Sequence, residues 1–332
     1  MIRAITLFLS AAVAVASGAT RGQAAPRAAD SLRVAGKEYV RLSDWAKAND
    51  LEARWLKQEE TLQLTNRRAK VLLTVDSREA EINGVAVWLL FPTVSRQGGL
   101  YLAQLDAQTT LQPILSPPRN RPGASVKSVC LDAGHGGKDP GYRVGANQEK
   151  KYTLLLTQEL RDQLTRAGMK VSLTRNSDAF VELPARPDLA KRRGADLFVS
   201  LHFNASETSQ NTVQGAEVYC LTPAGAPSTN KQGEGGGARS FPGNRFNDKN
   251  MFLAYQIQRS LTKGLGVEDR GVHRARFAVL RDAVMPAVLI EGGFMSHPTE
   301  GRKIFDPDYR REMARAIANG LLAYKRAVEQ GS

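Results

Sequence analysis

The sequence predicts an α/β protein: a large domain with a mostly parallel six-stranded sheet flanked by helices, preceded by a small α+β domain. Three observations lead there. After residue 125, strand-like apolar runs alternate with amphipathic helical patterns, the arrangement that builds a largely parallel sheet. Before residue 116, short alternating segments are punctuated by turn residues, as in antiparallel hairpins. Between them, SPPRNRPGAS (116–125) carries three prolines and no periodicity, a linker composition.

Residues 31–115 are expected to form the small domain. VLLTV (71–75), EAEING (79–84) and VAVWLL (85–90) read as strands, and Asn83-Gly84 is a hairpin turn. LSDWAKAND (42–50) reads as one helix, with Ser43 as its N-cap. Residues 126–330 form the second domain. VKSVCLDAG (126–134), MKVSLTR (169–175), ADLFVSLHFNA (195–205), GAEVYCL (215–221), FAVLR (277–281) and MPAVLIEGG (285–293) are its six expected strands. Helices are expected over 149–168, 185–194, 250–264 and 308–328. Residues 222–249 are rich in Gly, Pro and Ser and longer than most compact-domain loops, which suggests a flexible rim.

Composition removes several function classes. With 332 residues, 42% hydrophobic and 24% charged, the chain is neither disordered nor a disulfide-rich miniprotein. Its 46 basic against 33 acidic residues leave +13, split as +5 before residue 125 and +8 after it. No basic run exceeds Lys191-Arg192-Arg193, so no nucleic-acid arm stands out. A diffuse excess suits any polyanionic surroundings, an anionic envelope included.

The N-terminus has the form of an export signal. Met1-Ile2-Arg3 is followed by thirteen mostly apolar residues (4–16), a stretch too short to cross a bilayer. Ala16, Ala19, Ala24 and Ala25 are candidate cleavage points, which places a signal peptide at about residues 1–25 and the mature chain in the periplasm or cell envelope, with no membrane span after cleavage. Export argues against a nucleic-acid partner. Cys130 and Cys220 both sit in apolar strands and are either a disulfide or two small buried residues.

Four ionisable residues occupy the ends of elements. His135 follows the first strand of the second domain in DAGHGG, His202 ends another in SLHFNA, and Glu291 ends the last in LIEGG; Glu149 opens the 149–168 helix. Ligands of open α/β sheets bind beyond the carboxyl ends of strands. Two imidazoles and a carboxylate make a zinc set with one position left for water, and a second carboxylate then serves as base. Each residue has a plainer reading too: a strand-end His is often only hydrogen-bonded, and a Glu suits a helix N-terminus through the dipole alone. Glu291 is harder to dismiss, because an unpaired carboxylate beside VLI is costly to bury.

The wording of four motifs in order, VCLDAGHGGKDPG (129–141), Glu149, ADLFVSLHFNA and RGVHRARFAVLRDAVMPAVLIEGGFMSHPTE (270–300), resembles the zinc-dependent N-acetylmuramoyl-L-alanine amidases over residues 126–328. The resemblance implies hydrolysis of the amide between the lactyl group of N-acetylmuramic acid and the L-alanine of the stem peptide. It implies one Zn2+ per catalytic domain, held by His135, Glu149 and His202, with Glu291 as the catalytic glutamate, and peptidoglycan as substrate. Asn204 would orient a ligand or bond substrate, though turn chemistry explains it equally. Arg281 would pair with a stem-peptide carboxylate or stand solvated. The family more often has a lysine near 273 and asparagines near 297 and 191, so His273 and His297 are not expected ligands. Related amidases often carry an insertion near 222–249, in some a helix that a partner must remove; Gly235-Gly236-Gly237 disfavours a helix here.

Residues 31–115 resemble the small stalk-like domain of some copper amine oxidases, through VRLSDWAKA (40–48), LQLT (62–65), the 82–84 turn and LYLA (100–103). A spacer or envelope-interaction module follows. Anionic envelope polymers and an activator protein are the further candidate partners. The competing readings are a noncatalytic peptidoglycan-binding envelope protein and a zinc peptidase or deacetylase acting on another wall bond.

Overall fold

The computed structural model describes residues 32–230 and 237–330, so the expected signal segment lies outside the described residues. The chain begins with β1 (Leu32–Val34), β2 (Lys37–Arg41) and α1 (Leu42–Ala48). An antiparallel meander follows: β3 (Glu52–Lys57), β4 (Thr61–Thr65), β5 (Lys70–Thr74), β6 (Glu79–Ile82) and β7 (Val85–Trp88). Next come β8 (Val94–Arg96), β9 (Gly99–Ala103), α2 (Gln104–Asp106), a π-helical turn and α3 (Gln112–Leu115). β1, β2, β9 and β8 form a separate antiparallel sheet.

Local sequence explains much of this part. Asn83 and Gly84 both take positive φ, 51° and 76°, as the two-residue turn between β6 and β7 requires. The expected Ser43 cap is corrected: α1 follows β2 directly, Arg41 with extended backbone is the N-cap, and the Ser43 hydroxyl bonds Asp44 instead.

The second region runs β10 (Ser128–Ala133), the short hairpin β11 (Arg143–Val144) and β12 (Asn147–Gln148), α4 (Glu149–Arg166), β13 (Lys170–Leu173), α5 (Ala185–Arg192), β14 (Leu197–Asn204) and β15 (Ala216–Leu221). It continues with a 3-10 turn (Pro242–Phe246), α6 (Asn247–Leu265), β16 (Asp269–Ala275), α7 (Ala278–Arg281), β17 (Ala287–Phe294), α8 (Pro298–Phe305) and α9 (Pro307–Glu329). FAVLR is therefore a short helix with its preceding loop, and the sixth strand is β16. That strand carries Arg270, His273 and Arg274, which hid it in the sequence.

The strand order is β13-β10-β14-β17-β15-β16, parallel up to β17, with β15 antiparallel to β17 and β16 parallel to β15. The second region is thus α/β with a mixed, mostly parallel sheet, preceded by a small antiparallel β domain. Alternation along the strands divides the core. Val129, Leu131, Leu197, Val199, Val288 and Ile290 belong to one apolar cluster with α4, α6 and α9. Cys130, Phe198, Tyr219 and Leu289 belong to another with residues of α5 and α7. Cys130 and Cys220 are both buried free thiols, on strands with β14 and β17 between them.

The ladder does not stop at β16. Val272 pairs with Val87 of β7, so the meander extends the sheet to eleven strands, across the expected linker. The Ala86 N–H donates to Asp269 and the Tyr255 hydroxyl to the Ile82 carbonyl, which fastens the same junction. No described helix is long and apolar enough to cross a membrane. Direction decides what meets at each edge: the C-terminal ends of β10, β14 and β17 share an edge with the first residues of β15 and β16.

Candidate metal centre and active site

At that edge, His135, Glu149 and His202 converge, with one ligand atom from each lying within 4.8 Å of the others. Sequence-local chemistry makes this closeness affordable. A Cβ at Gly134 would stand 2.3 Å from the His202 imidazole, so only glycine lets β10 end against that ring. His135 itself has φ 59°, a left-handed conformation costing roughly 1 kcal/mol or more for a side-chain-bearing residue. Its surroundings hold it there. The Arg186 guanidinium donates to the His135 carbonyl at 2.9 Å, and Asp139 meets the ring Nδ1 at 2.8 Å.

Glu149 begins α4 with its carboxylate turned onto the cluster. Oε2 lies 3.0 Å from His135 Nε2 and Oε1 lies 3.1 Å from His202 Nδ1. The Tyr142 and Phe203 amides donate to the same two oxygens. The two imidazoles meet edge to face, 4.9 Å apart. Burial works against an ionised Glu149, yet the two imidazoles outweigh it and hold the carboxyl well below its usual range. Burial likewise lowers His135, and the Glu149 and Asp139 carboxylates more than reverse it.

These residues fit a divalent metal. Asp139 at Nδ1 favours the His135 tautomer whose Nε2 carries a lone pair, and that lone pair then faces a carboxylate oxygen. Two acceptors in such proximity need a cation between them or a proton on the ring. Two imidazoles plus one carboxylate is also a donor set that suits zinc.

Glu291 lies beside this cluster. In the β14–β17 ladder it is the partner of His202, and in the β17–β15 ladder the partner of Glu217. Its Oε2 is shielded from solvent and has no hydrogen-bond partner. Burial, then the charges of Glu149 and Glu217, push its carboxyl well above the usual range. A carboxyl so placed is suited to take and return a proton.

Asn204 and Arg281 part company in the structure. Asn204 donates to Glu217 Oε1 at 2.8 Å, so its side chain orients a carboxylate. Arg281 follows β16 and lies toward the opposite edge of the sheet, its guanidinium over the Phe241 ring at 5.4 Å; the structure does not bring it to the cluster. His273 is stacked between Trp88 and Tyr219, and His297 caps α8 by accepting from the Glu300 amide.

Several residues of the site escaped sequence reasoning. Asp139 fixes His135, and its signal was a carboxylate four residues on in the same glycine-rich loop. Glu217 is buried and accepts from Asn204, Tyr219 and Arg270; its signal was a lone charge in an apolar strand, as for Glu291. Beneath the loop, buried Asp132 accepts from Arg186, Thr174 and Ser200, while Arg175 donates to the Ala133 and Gly134 carbonyls.

Comparison with known proteins agrees with this geometry. Residues 129–323 match the family described as N-acetylmuramoyl-L-alanine amidase. The amidase AmiC of Neisseria meningitidis serogroup B is 34% identical over 245 residues, 67% of this chain and 57% of that protein. AmiA of Salmonella typhimurium is 32% identical over 233 residues, 63% of this chain and 80% of that protein. The chain therefore spans little more than half of the first relative and most of the second. Among solved structures, AmiC2 of Nostoc punctiforme superposes with a TM-score of 0.51 at 31% identity, covering 61% of this chain and 98% of that one. An amidase of Clostridium difficile 630 gives 0.51 at 30% identity, covering 60% and 97%. On the matched span and the site it contains, the chain belongs to the N-acetylmuramoyl-L-alanine amidase family of peptidoglycan hydrolases.

Proposed function

We propose that this chain is an exported zinc amidase that cleaves the bond between the lactyl group of N-acetylmuramic acid and the L-alanine of the stem peptide, in cell-wall turnover or cell separation. The observation that carries the reading is the convergence of His135, Glu149 and His202 next to the partnerless carboxyl of Glu291. His135, Glu149 and His202 would hold one Zn2+, Asp139 fixing the His135 tautomer. Zinc held there would polarise the scissile carbonyl and make a water more acidic near neutral pH.

The residues of the chain do the rest. Glu291, its Oε2 free of other partners, accepts a proton from the attacking water. The same carboxyl then donates that proton to the departing L-alanine nitrogen, so that the amine leaves and the amide does not re-form. Glu217, bonded to Asn204, Tyr219 and Arg270, is held in place opposite Glu291.

The export reading rests on the charged start and apolar run of residues 1–16, and it places the protein in the periplasm or cell envelope. The net charge of +13 suits a carboxylate-bearing substrate among anionic envelope polymers. Mass spectrometry of digested peptidoglycan tests the bond assignment. The expected products are glycans with free lactyl ends and peptides with new L-alanine N-termini. Cleavage within the peptide, or deacetylated glycan, would instead favour another zinc hydrolase.

A further inference from the structure

A groove of about 650 Å³ opens where β16 meets the meander. Trp88, Arg270 and His273 line it together with the carboxylates of Glu79, Glu81, Glu268 and Asp269. Three rings lead from it toward the active site: Trp88 stacks on His273 at 5.1 Å, and His273 on Tyr219 at 5.3 Å. The Tyr219 hydroxyl donates to Glu217, the residue opposite Glu291.

Arg270 is held on three sides. Its Nε donates to Glu217 Oε2 at 3.0 Å, its guanidinium lies 5.0 Å from the Phe294 ring centroid, and its carbonyl accepts from Trp88 Nε1. Among the described residues, no protein acceptor bonds its two terminal nitrogens, and the side chain is 31% exposed. A preorganised fork facing an open groove is the geometry that takes a carboxylate through two parallel hydrogen bonds. Directly opposed residues in an antiparallel pair have Cβ atoms about 5 Å apart, so only Glu217 separates this fork from the proton-handling Glu291. Arg270 is the one Lys or Arg among the groove's described lining residues, which also include four carboxylates, so a ligand carboxylate has its place at that guanidinium.

We propose that Arg270 is a specificity-determining residue that binds a free carboxylate of the stem peptide, in a subsite whose wall the N-terminal meander completes with Trp88. The proposal rests on the amidase reading above. Muropeptides that differ only in whether their peptide carboxylates are free or amidated test it on the zinc-loaded full chain. The native protein should favour the free acid in kcat/KM by about tenfold or more, as expected for charge-assisted hydrogen bonds. R270Q, which keeps a donor for Glu217, should bring that ratio close to one through KM, and R270K should fall between.

An equal rate on both substrates by the native protein, or an unchanged ratio in R270Q, overturns the proposal while the amidase reading stands. Failure to cleave either substrate at the lactyl amide overturns both. Should R270Q not fold, calorimetry of the native protein with a free stem peptide and its amidated form decides. Binding about tenfold tighter for the acid supports the assignment, and equal affinity overturns it.

Discussion

Glu217 and Glu291 stand opposite one another across the β15–β17 ladder, and only Glu217 is fully satisfied. It accepts from three side chains, whereas Glu291 Oε2 is buried with none. One carboxylate is thereby fixed by hydrogen bonds, and the other, raised toward its protonated form by burial, is left without them.

Removing that exchangeable proton should separate chemistry from metal binding. Glu291→Gln is expected to lower the rate of amide cleavage by roughly 10²–10⁴-fold. Its zinc content, measured by elemental analysis, should equal that of the native protein, because Glu291 is not in the converging triad. His135→Ala and His202→Ala should lose both zinc and activity.

The same carboxyl makes stability depend on pH. Its folded pKa is raised, so the folded state keeps a proton that the unfolded state releases, and stability falls as pH rises from the ordinary carboxylate range toward the folded value. In chelator-treated protein, Glu291→Gln should therefore melt at a higher temperature than the native chain near pH 8. The difference should close near pH 4, where both states are protonated. A gap that widens on acidification would contradict the assigned direction.

Asp139 touches the metal set only through His135 Nδ1. Asp139→Ala should weaken zinc binding by about 10–100-fold in competition with a chromogenic chelator, leaving the fold intact by circular dichroism. Unaltered affinity would mean that Asp139 does not set the tautomer.

Asp132 and Arg186 form a buried ion pair at 2.9 Å beneath the loop that carries His135. Asp132→Ala leaves the buried Arg186 charge without its carboxylate and two hydroxyl donors without their acceptor, and should cost about 3–5 kcal/mol in denaturant unfolding. Replacing both partners by apolar residues of similar volume should cost less than the single change.

The sequence exposed His135, His202 and Glu291 because each interrupts the end of an apolar strand or a glycine-rich loop, a local pattern. For Glu217 the local signal was no more than a lone charge in a correctly read strand, because the partners that give it meaning, Asn204, Arg270 and Glu291, lie on β14, β16 and β17. FAVLR was misread because four or five apolar residues suit a strand or a buried helix turn alike. RGVHRA was missed as a strand because Arg274 is wholly buried, its guanidinium donating to Thr109 and Thr110 of the N-terminal region. The β7–β16 pairing joins residues far apart in the chain, and no local periodicity reports such a contact.

The most direct test of the account is the rate of lactyl-amide cleavage in purified peptidoglycan, followed by mass spectrometry before chelation, after it, and after zinc is restored. Glycan with free lactyl ends is expected from the native protein, none after chelation, and recovery with zinc. Cleavage that persists in the thoroughly chelated protein would contradict a metal centre built on His135, Glu149 and His202.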